Sequence, residues 1–350
     1  MLSLGVPLVF TLGALGVGWA VSSPAWRGPE TTNFRSGKFR NTVPVKREPA
    51  AIWREGWQRG AWPARAAAAG SAAATPPPRA VQGDTMRVTW IGHATALVQV
   101  AGMNLLTDPV WSPAAGPLGQ LGPRRFVPAG LPIDALPRID AVLVSHNHYD
   151  HLDVPTLRRL HARDAPRIYT PLGNAAFLAR AGVPGAIELD WWQSAEHTRG
   201  FHIEATEVRH FSGRGLFDRD KSLWCGFTVH TPVGRVYFAG DTGYGAHFAE
   251  TARRSGAPRL ALLPVGAYLP RSIMQPVHMD PIEAVQAHRD LGAGASLGIH
   301  WGSFRLTAEA WDDPPRRLAA ARAEAGVPDE TFRVLDHGAG WDIPREPAPR

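Results

Sequence analysis

The densest chemistry in this chain lies in Ser145-His146-Asn147-His148-Tyr149-Asp150-His151, which places four potential metal ligands within six residues as H-x-H-x-D-H. Imidazole nitrogen and carboxylate oxygen suit zinc at about 2.0–2.2 Å. Side chains at i and i+2 of an extended segment share a face, so His146 pairs with His148. A tight turn then sends Asp150 and His151 towards a neighbouring point, and two pairs offset in this way suit two metal ions roughly 3.5–4 Å apart. A solvated histidine-rich turn would explain one such histidine; it does not explain the combination. Three more donors follow strand-like runs: His210 after residues 204–209, Asp241 after residues 235–240 and His300 after residues 295–299. Singly, each is more often structural. Alongside the turn they meet the needs of a binuclear site, where one carboxylate must bridge, and Gly240 and Gly243 let the backbone around Asp241 approach closely.

The elements that must carry these groups follow from periodicity. Residues 86–91, 95–100 and 103–107 are strand-like, with Ala101-Gly102 as a turn. Residues 139–145 form a short apolar run of the kind expected for a buried strand, and similar runs occur at 203–209, 223–230, 235–239, 260–265 and 296–299. Asp153 is placed to cap a helix with Pro155 in its first turn. Asp280-Pro281-Ile282-Glu283 is a capping-box pattern that opens a second helix through His288. Early strands without helices, followed by mixed strands and helices, predict two sheets sandwiched between helices. No internal sequence repeat is visible.

Composition narrows the class. With 350 residues, 44% hydrophobic and 19% charged, the chain is ordinarily globular and wholesale disorder is excluded. A single cysteine, Cys225, excludes a disulfide framework and any Cys-based metal site, and reads as a small buried apolar residue. The formal charge of +6 is unevenly placed: residues 23–80 carry ten basic and three acidic side chains, residues 81–350 carry 27 and 28. A nucleic-acid-binding fold holds its positive charge on the folded domain, so nucleic acid is not an expected partner. Residues 1–22 are apolar throughout and close to the roughly 20 residues that span a bilayer. They read as a membrane anchor or as a signal peptide of an exported protein; glycines at 5, 13, 16 and 18 make a buried soluble helix a poor alternative. The basic arm that follows contains Trp26, Trp53, Trp57 and Trp62 and ends in an Ala/Pro-rich linker. Its basic residues and tryptophans suit an anionic membrane surface; the alternative is an arm wrapped over the body, its tryptophans filling grooves.

The H-x-H-x-D-H motif, with the later His210, Asp241 and His300 in that order, resembles the metallo-β-lactamase superfamily of binuclear zinc hydrolases. The narrower resemblance is to its branch containing the N-acyl-phosphatidylethanolamine-hydrolysing phospholipase D and bacterial relatives. It is carried by Trp90-Ile-Gly-His-Ala-Thr, Leu106-Thr-Asp-Pro, Gly122-Pro-Arg-Arg, Ser222-Leu-Trp-Cys-Gly-Phe, Phe238-Ala-Gly-Asp-Thr-Gly-Tyr and Gly298-Ile-His-Trp-Gly. The resemblance implies an α/β (α+β) fold, a four-layer αββα sandwich over residues 86–345, preceded by the apolar span of residues 1–22 and the arm and linker of residues 23–85. It implies two zinc ions per chain: His146, His148 and His210 hold one, Asp150, His151 and His300 the other, and Asp241 bridges. The implied reaction is hydrolysis of an N-acyl-phosphatidylethanolamine-like membrane lipid, in which a hydroxide bridging the zinc ions and oriented by Asp150 and Asp241 attacks phosphorus. A small soluble ester such as a lactone is the alternative substrate on the same site.

Supporting roles are assigned more broadly. His278, in Gln275-Pro-Val-His-Met-Asp-Pro just before the Asp280 cap, is expected to contact the substrate phosphate or to protonate the leaving group. His93 and Asp108, at the ends of early strands, are expected to hydrogen-bond the ligating imidazoles and fix their tautomers. Arg124 and Arg125 are candidate phosphate contacts, against the simpler reading of an exposed basic turn. Asn147 and Tyr149 alternate away from the ligands, and at least one of them should brace the loop.

Overall fold

A computed structural model of the chain describes residues 22–45, 61–63, 75–198 and 200–345. The first strands among the described residues form a short hairpin, β1 (Phe34–Arg35) and β2 (Lys38–Phe39). One seven-stranded sheet then collects β3 (Met86–Gly92), β4 (Thr95–Val100), β5 (Met103–Thr107), β6 (Ala141–Leu143), β7 (Arg167–Pro171) and β8 (Ile187–Leu189). A second collects β9 (Ser194–Thr198), β10 (Phe201–Thr206), β11 (Gly226–Thr231), β12 (Gly234–Phe238), β13 (Leu260–Pro264), β14 (Ala295–Ile299) and β15 (Phe332–Arg333). The last strand, β16 (Gly340–Asp342), returns to pair antiparallel with β3 and completes the first sheet. Six α-helices accompany them among the described residues: α1 (Val154–Asp164), α2 (Ala175–Arg180), α3 (His247–Ser255), α4 (Arg271–Met274), α5 (Pro281–Leu291) and α6 (Asp313–Ala325).

The layers follow from the two-residue period of strands that are covered on both faces. Met86, Val88 and Trp90 of β3 and Ala96, Val98 and Val100 of β4 point into the core between the sheets, where they meet Val236 and Phe238 of β12 and Leu260 and Leu262 of β13. The alternate residues face outward. Ile91, Leu97 and Leu106 pack on Leu157 and Leu160 of α1 and Phe177 of α2. Tyr237, Ala261 and Leu263 pack on α3, α5 and α6 through Phe248, Val285 and Leu318. The result is helix, sheet, sheet, helix. Cys225 lies buried in the inter-sheet core.

Of the local expectations, one holds and others are corrected. Asp280 does form a full capping box with Glu283. Asp153 stands at the start of α1 but does not cap it; its carboxylate accepts instead from Ser112 Oγ, the Ser112 and Trp111 amides and Thr156 Oγ. The runs at 203–209 and 223–230 become β10 and β11: after Thr206 the chain leaves the sheet towards His210, and Leu223 and Trp224, which precede Gly226, pack against Phe34 and Phe39 instead. Residues 22–45 do not stand apart as an arm. Phe34 and Phe39 are buried with Val208, Leu223 and Trp224, and Trp26 packs edge-on against Phe34. Trp62 meets Phe126 edge-on and donates to the Glu309 carbonyl. These two tryptophans fill grooves of the body. Trp53, Trp57 and the apolar stretch of residues 1–21 lie outside the described residues; among those described, no helix is long and apolar enough to cross a membrane.

Candidate metal centre

The H-x-H-x-D-H turn leaves the first sheet just beyond β6, and three segments of the second sheet bring the remaining donors to it. His146, His148 and His210 form one group: His148 Nδ1 lies 2.8 Å from His146 Nε2 and 3.2 Å from His210 Nε2. Asp150, His151 and His300 form the other, with Asp150 Oδ2 3.4 Å from His151 Nε2 and 3.5 Å from His300 Nε2. Asp241 stands between them. Its Oδ2 is 3.1 Å from both His151 and His300 Nε2 and 3.8 Å from His210 Nε2. The approach to Asp241 requires the two flanking glycines. A Cβ at Gly240, where φ is +59°, would lie 2.5 Å from Ser145 Cβ, and one at Gly243 would lie 2.5 Å from the Pro276 carbonyl oxygen.

The tautomers are set from outside the cluster. Ser145 Oγ donates to Asp108 Oδ2 at 2.5 Å and stands 2.9 Å from His146 Nδ1, so it accepts that ring's N–H. Asp108 Oδ2 also accepts from His151 Nδ1 at 2.6 Å. His210 Nδ1 donates to the Val277 carbonyl at 3.1 Å. All three rings therefore point Nε2 inward, the nitrogen that a neutral imidazole offers to a cation. Asp108 thus plays the part expected of it, and Ser145, which the sequence did not single out, relays it to His146. His93 departs from expectation in its partner: its Nε2 lies 2.9 Å from Asp150 Oδ2 rather than on a ligating imidazole. His93, Asp108 and His300 all have positive φ, at 55°, 29° and 63°, strain of the kind concentrated at functional sites.

Burial holds His146, His148, His210 and His278 below the ordinary imidazole range, His148 and His278 at about 4, which leaves these rings neutral. Burial also disfavours charge on Asp150 and Asp241, but His151 outweighs it, with help from His300, and both carboxylates stay well below their usual range. The same carboxylates overcome burial at His300 and carry it up to about 9. The two ionised carboxylates draw positive charge, which the raised His151 and His300 supply here and which a metal ion would supply in their place. Asp241 Oδ1 and His278 Nδ1 are buried without a hydrogen-bond partner, as donors awaiting a cation or a substrate would be. The donor set fits divalent metal.

His278 arrives from the α4–α5 connection, its N–H bonded to the Met274 carbonyl and its Nδ1 3.9 Å from Asp241 Oδ2. The arginines behave differently. Arg125 is buried and donates to the carbonyls of Val110 and Ser112, with its guanidinium over Phe304; Arg124 is exposed. Asn147 braces the turn as expected, accepting from the Gly213 amide. Two supports escaped the sequence. Asn41 exchanges hydrogen bonds with both the N–H and the carbonyl of His210. Arg214 donates to the carbonyls of Asn147 and Leu152, on either side of the ligand turn, while its guanidinium lies over Tyr149 and Phe177. Neither carries a motif, because each acts through backbone brought close only by the fold.

Two facing sheets with a buried His/Asp centre beyond their strand ends define a class of metal-dependent hydrolases, and comparison with known proteins places the chain there. The Beta-lactamase superfamily domain matches residues 103–301. An uncharacterised protein of Mycobacterium tuberculosis is 40% identical over 306 residues, covering 83% of this chain and 80% of that protein. N-acyl-phosphatidylethanolamine-hydrolyzing phospholipase D 1 of Caenorhabditis elegans is 35% identical over 267 residues, covering 73% of this chain and 75% of that enzyme. Among solved structures, the metallo hydrolase Igni18 of Ignicoccus hospitalis aligns with a TM-score of 0.58 at 22% identity, over 75% of this chain and 100% of that one. The chain belongs to the metallo-β-lactamase superfamily, in the branch that includes the N-acyl-phosphatidylethanolamine-hydrolysing phospholipases D.

Proposed function

We propose that this metal-dependent hydrolase is a phospholipase D-type phosphodiesterase that holds two zinc ions and acts on N-acyl-phosphatidylethanolamine-like membrane lipid. The observation that carries the reading is the closing of seven donors into two groups that share Asp241, in a chain similar to the worm phospholipase D over most of its length. His146, His148 and His210 would hold one ion, Asp150, His151 and His300 the other, and Asp241 would touch both. When bound, such ions supply an activated water and positive charge for the phosphoryl oxygens. Asp150 and Asp241 orient the attacking water, and Asp108 with Ser145 keeps the imidazole lone pairs aimed inward. His278 stands at the edge of the cluster, where a neutral ring can donate its N–H to a phosphoryl or leaving-group oxygen. Water adds to phosphorus, the P–O bond to the N-acylethanolamine breaks, and phosphatidic acid remains. The apolar residues 1–22 would hold the enzyme at the membrane that contains its substrate.

The test is incubation of the purified chain with N-acyl-phosphatidylethanolamine, plain phosphatidylethanolamine and a panel of lactones, with products followed by mass spectrometry. N-acylethanolamine and phosphatidic acid released in equal amounts is the expected result. Turnover of lactones without turnover of lipid would move the protein to the small-ester class.

A further inference from the structure

Six large apolar side chains stand exposed among the described residues, and four of them, Leu118, Leu121, Leu216 and Phe217, fall on just two loops. Single exposed apolar residues are ordinary. These are held out by construction. Leu118 is 82% exposed at a φ of 59°, a left-handed backbone that leucine rarely adopts. In the second loop, buried Asp218 accepts from the amides of Arg214 and Gly215 and closes a turn that leaves Leu216 and Phe217 with no core to enter.

The two loops meet at one cavity of about 430 Å³, lined by Leu118 from the first and Arg214 from the second. Tyr149, between His148 and Asp150, lines it too, so the cavity abuts the ligand turn. Its exposed charges are Arg158 and Arg180; the acid in its lining, Asp153, is buried and already bonded to Ser112. A third observation concerns the start of the described chain. The Ser23 N–H donates to the same Asp218 at 2.7 Å, Asn147 donates to Ser23 Oγ, and Arg180 donates to the Ser22 carbonyl. The chain therefore enters the body at this edge, and residues 1–21 before it contain no charged side chain.

We infer that this edge is a bilayer-docking surface. Leu118, Leu121, Leu216 and Phe217 enter the interface of an anionic membrane, and Arg158 and Arg180 meet lipid headgroups. Apolar side chains beside basic ones are the chemistry of interfacial binding. The purpose of the surface rests on the lipid reading of the site; its geometry does not.

The test uses the full chain with a nitroxide spin label at Leu118→Cys, Leu216→Cys or, as a control on an exposed apolar residue away from these loops, Ile282→Cys; natural Cys225 is buried and escapes labelling. In vesicles of equal parts phosphatidylglycerol and phosphatidylcholine, the labels at 118 and 216 should become accessible to oxygen and shielded from an aqueous nickel chelate. The label at 282 should stay aqueous. Labels at 118 and 216 as aqueous as that at 282 would overturn the inference, as would shielding already present without vesicles, which would mark a protein contact. Joint Leu216→Ser and Phe217→Ser substitution should lower turnover of vesicle lipid by about tenfold or more, and leave turnover of the same lipid in detergent micelles unchanged. Inserted labels on a protein that cleaves no lipid would keep the surface and remove the lipid reading; lipid cleavage with aqueous labels would do the reverse.

Discussion

The two sheets are built alike and loaded unequally. In the first, β16, β3, β4 and β5 join antiparallel, and β6, β7 and β8 then continue in parallel. In the second, β9 to β12 join antiparallel and β13 to β15 continue in parallel. Yet the first half supplies four donors from one turn after β6, whereas the second supplies His210, Asp241 and His300 one at a time, after β10, β12 and β14. The acids show what the difference achieves. Asp108 follows β5 and Asp241 follows β12, each the last antiparallel strand before the parallel run, and they address opposite nitrogens of His151. Asp108 is 2.6 Å from Nδ1 and Asp241 is 3.1 Å from Nε2. One acid orients the donors from behind, and its counterpart in the other half faces the centre of the donor cluster.

The strongest way to break this comparison is to neutralise each acid in turn. Asp241→Asn should abolish essentially all hydrolysis with the fold retained by circular dichroism, because an amide cannot bridge two cations as a carboxylate does. Metal analysis of the wild type should return about two zinc ions per chain, and one ion or none in active protein would end the binuclear reading. His278→Ala should come next, lowering turnover by about 10²-fold or more while zinc content holds; wild-type rates in the metal-replete variant would remove His278 from the chemistry. Asp108→Asn should be milder, because the relay through Ser145 still has an oxygen to accept. Outer partners of this kind are worth about 10–100-fold in metal affinity, and competition with a chelator would measure the loss. An Asp108→Asn variant as dead as Asp241→Asn would erase the distinction between the two acids.

The same asymmetry explains what could be read before the fold was known. A turn with four donors in six residues announces itself, so His146, His148, Asp150 and His151 needed no tertiary information. His210 was harder, because it lies beyond the end of β10 at Thr206 and is held in place by Asn41, from a segment that read as a basic arm facing a membrane or wrapped over the body. The strands of the inter-sheet core, β3 to β5 and β12 to β14, were legible because they are dominated by apolar residues buried on both faces, with exposure only at Arg87 and at the start of β12. β9, Ser194–Thr198, was not: it is a polar edge strand that one neighbour, β10, holds by backbone pairing. α3 and α6 were missed for a similar reason, because their buried faces are short and carry few large apolar side chains: Phe248 beside Thr251 and Ser255 in α3, Leu318 beside Pro314 and Ala321 in α6. Arg125 misled in the opposite direction, since a basic pair after Gly-Pro looks like a phosphate contact but one of the two spends its donors on loop carbonyls.

The smallest effect expected is at the clasp between the halves. Arg214 comes from the loop after β10 in the second half and grips the first at the carbonyls of Asn147 and Leu152, each at 2.8 Å, so it closes the ligand turn from both ends. Its guanidinium also lies 3.9 Å from the centre of the Tyr149 ring and 4.8 Å from that of Phe177. Lysine keeps the charge but lacks the planar group that stacks between rings while donating in two directions. Arg214→Lys should therefore lose the equivalent of one or two hydrogen bonds, each worth about 0.5–1.5 kcal/mol. That should appear as a melting temperature lowered by a few degrees, roughly 2–4 °C per kcal/mol in a large domain. Turnover should fall less than in any variant above, because no metal donor moves its tautomer. The informative readout is where the destabilisation falls. Hydrogen exchange at the amides of His151 and Leu152, which bond to the His148 carbonyl, should quicken in the variant, while exchange at β13 and β14 stays unchanged. Uniform quickening across both sheets would show that Arg214 supports the whole sandwich rather than the turn it encloses.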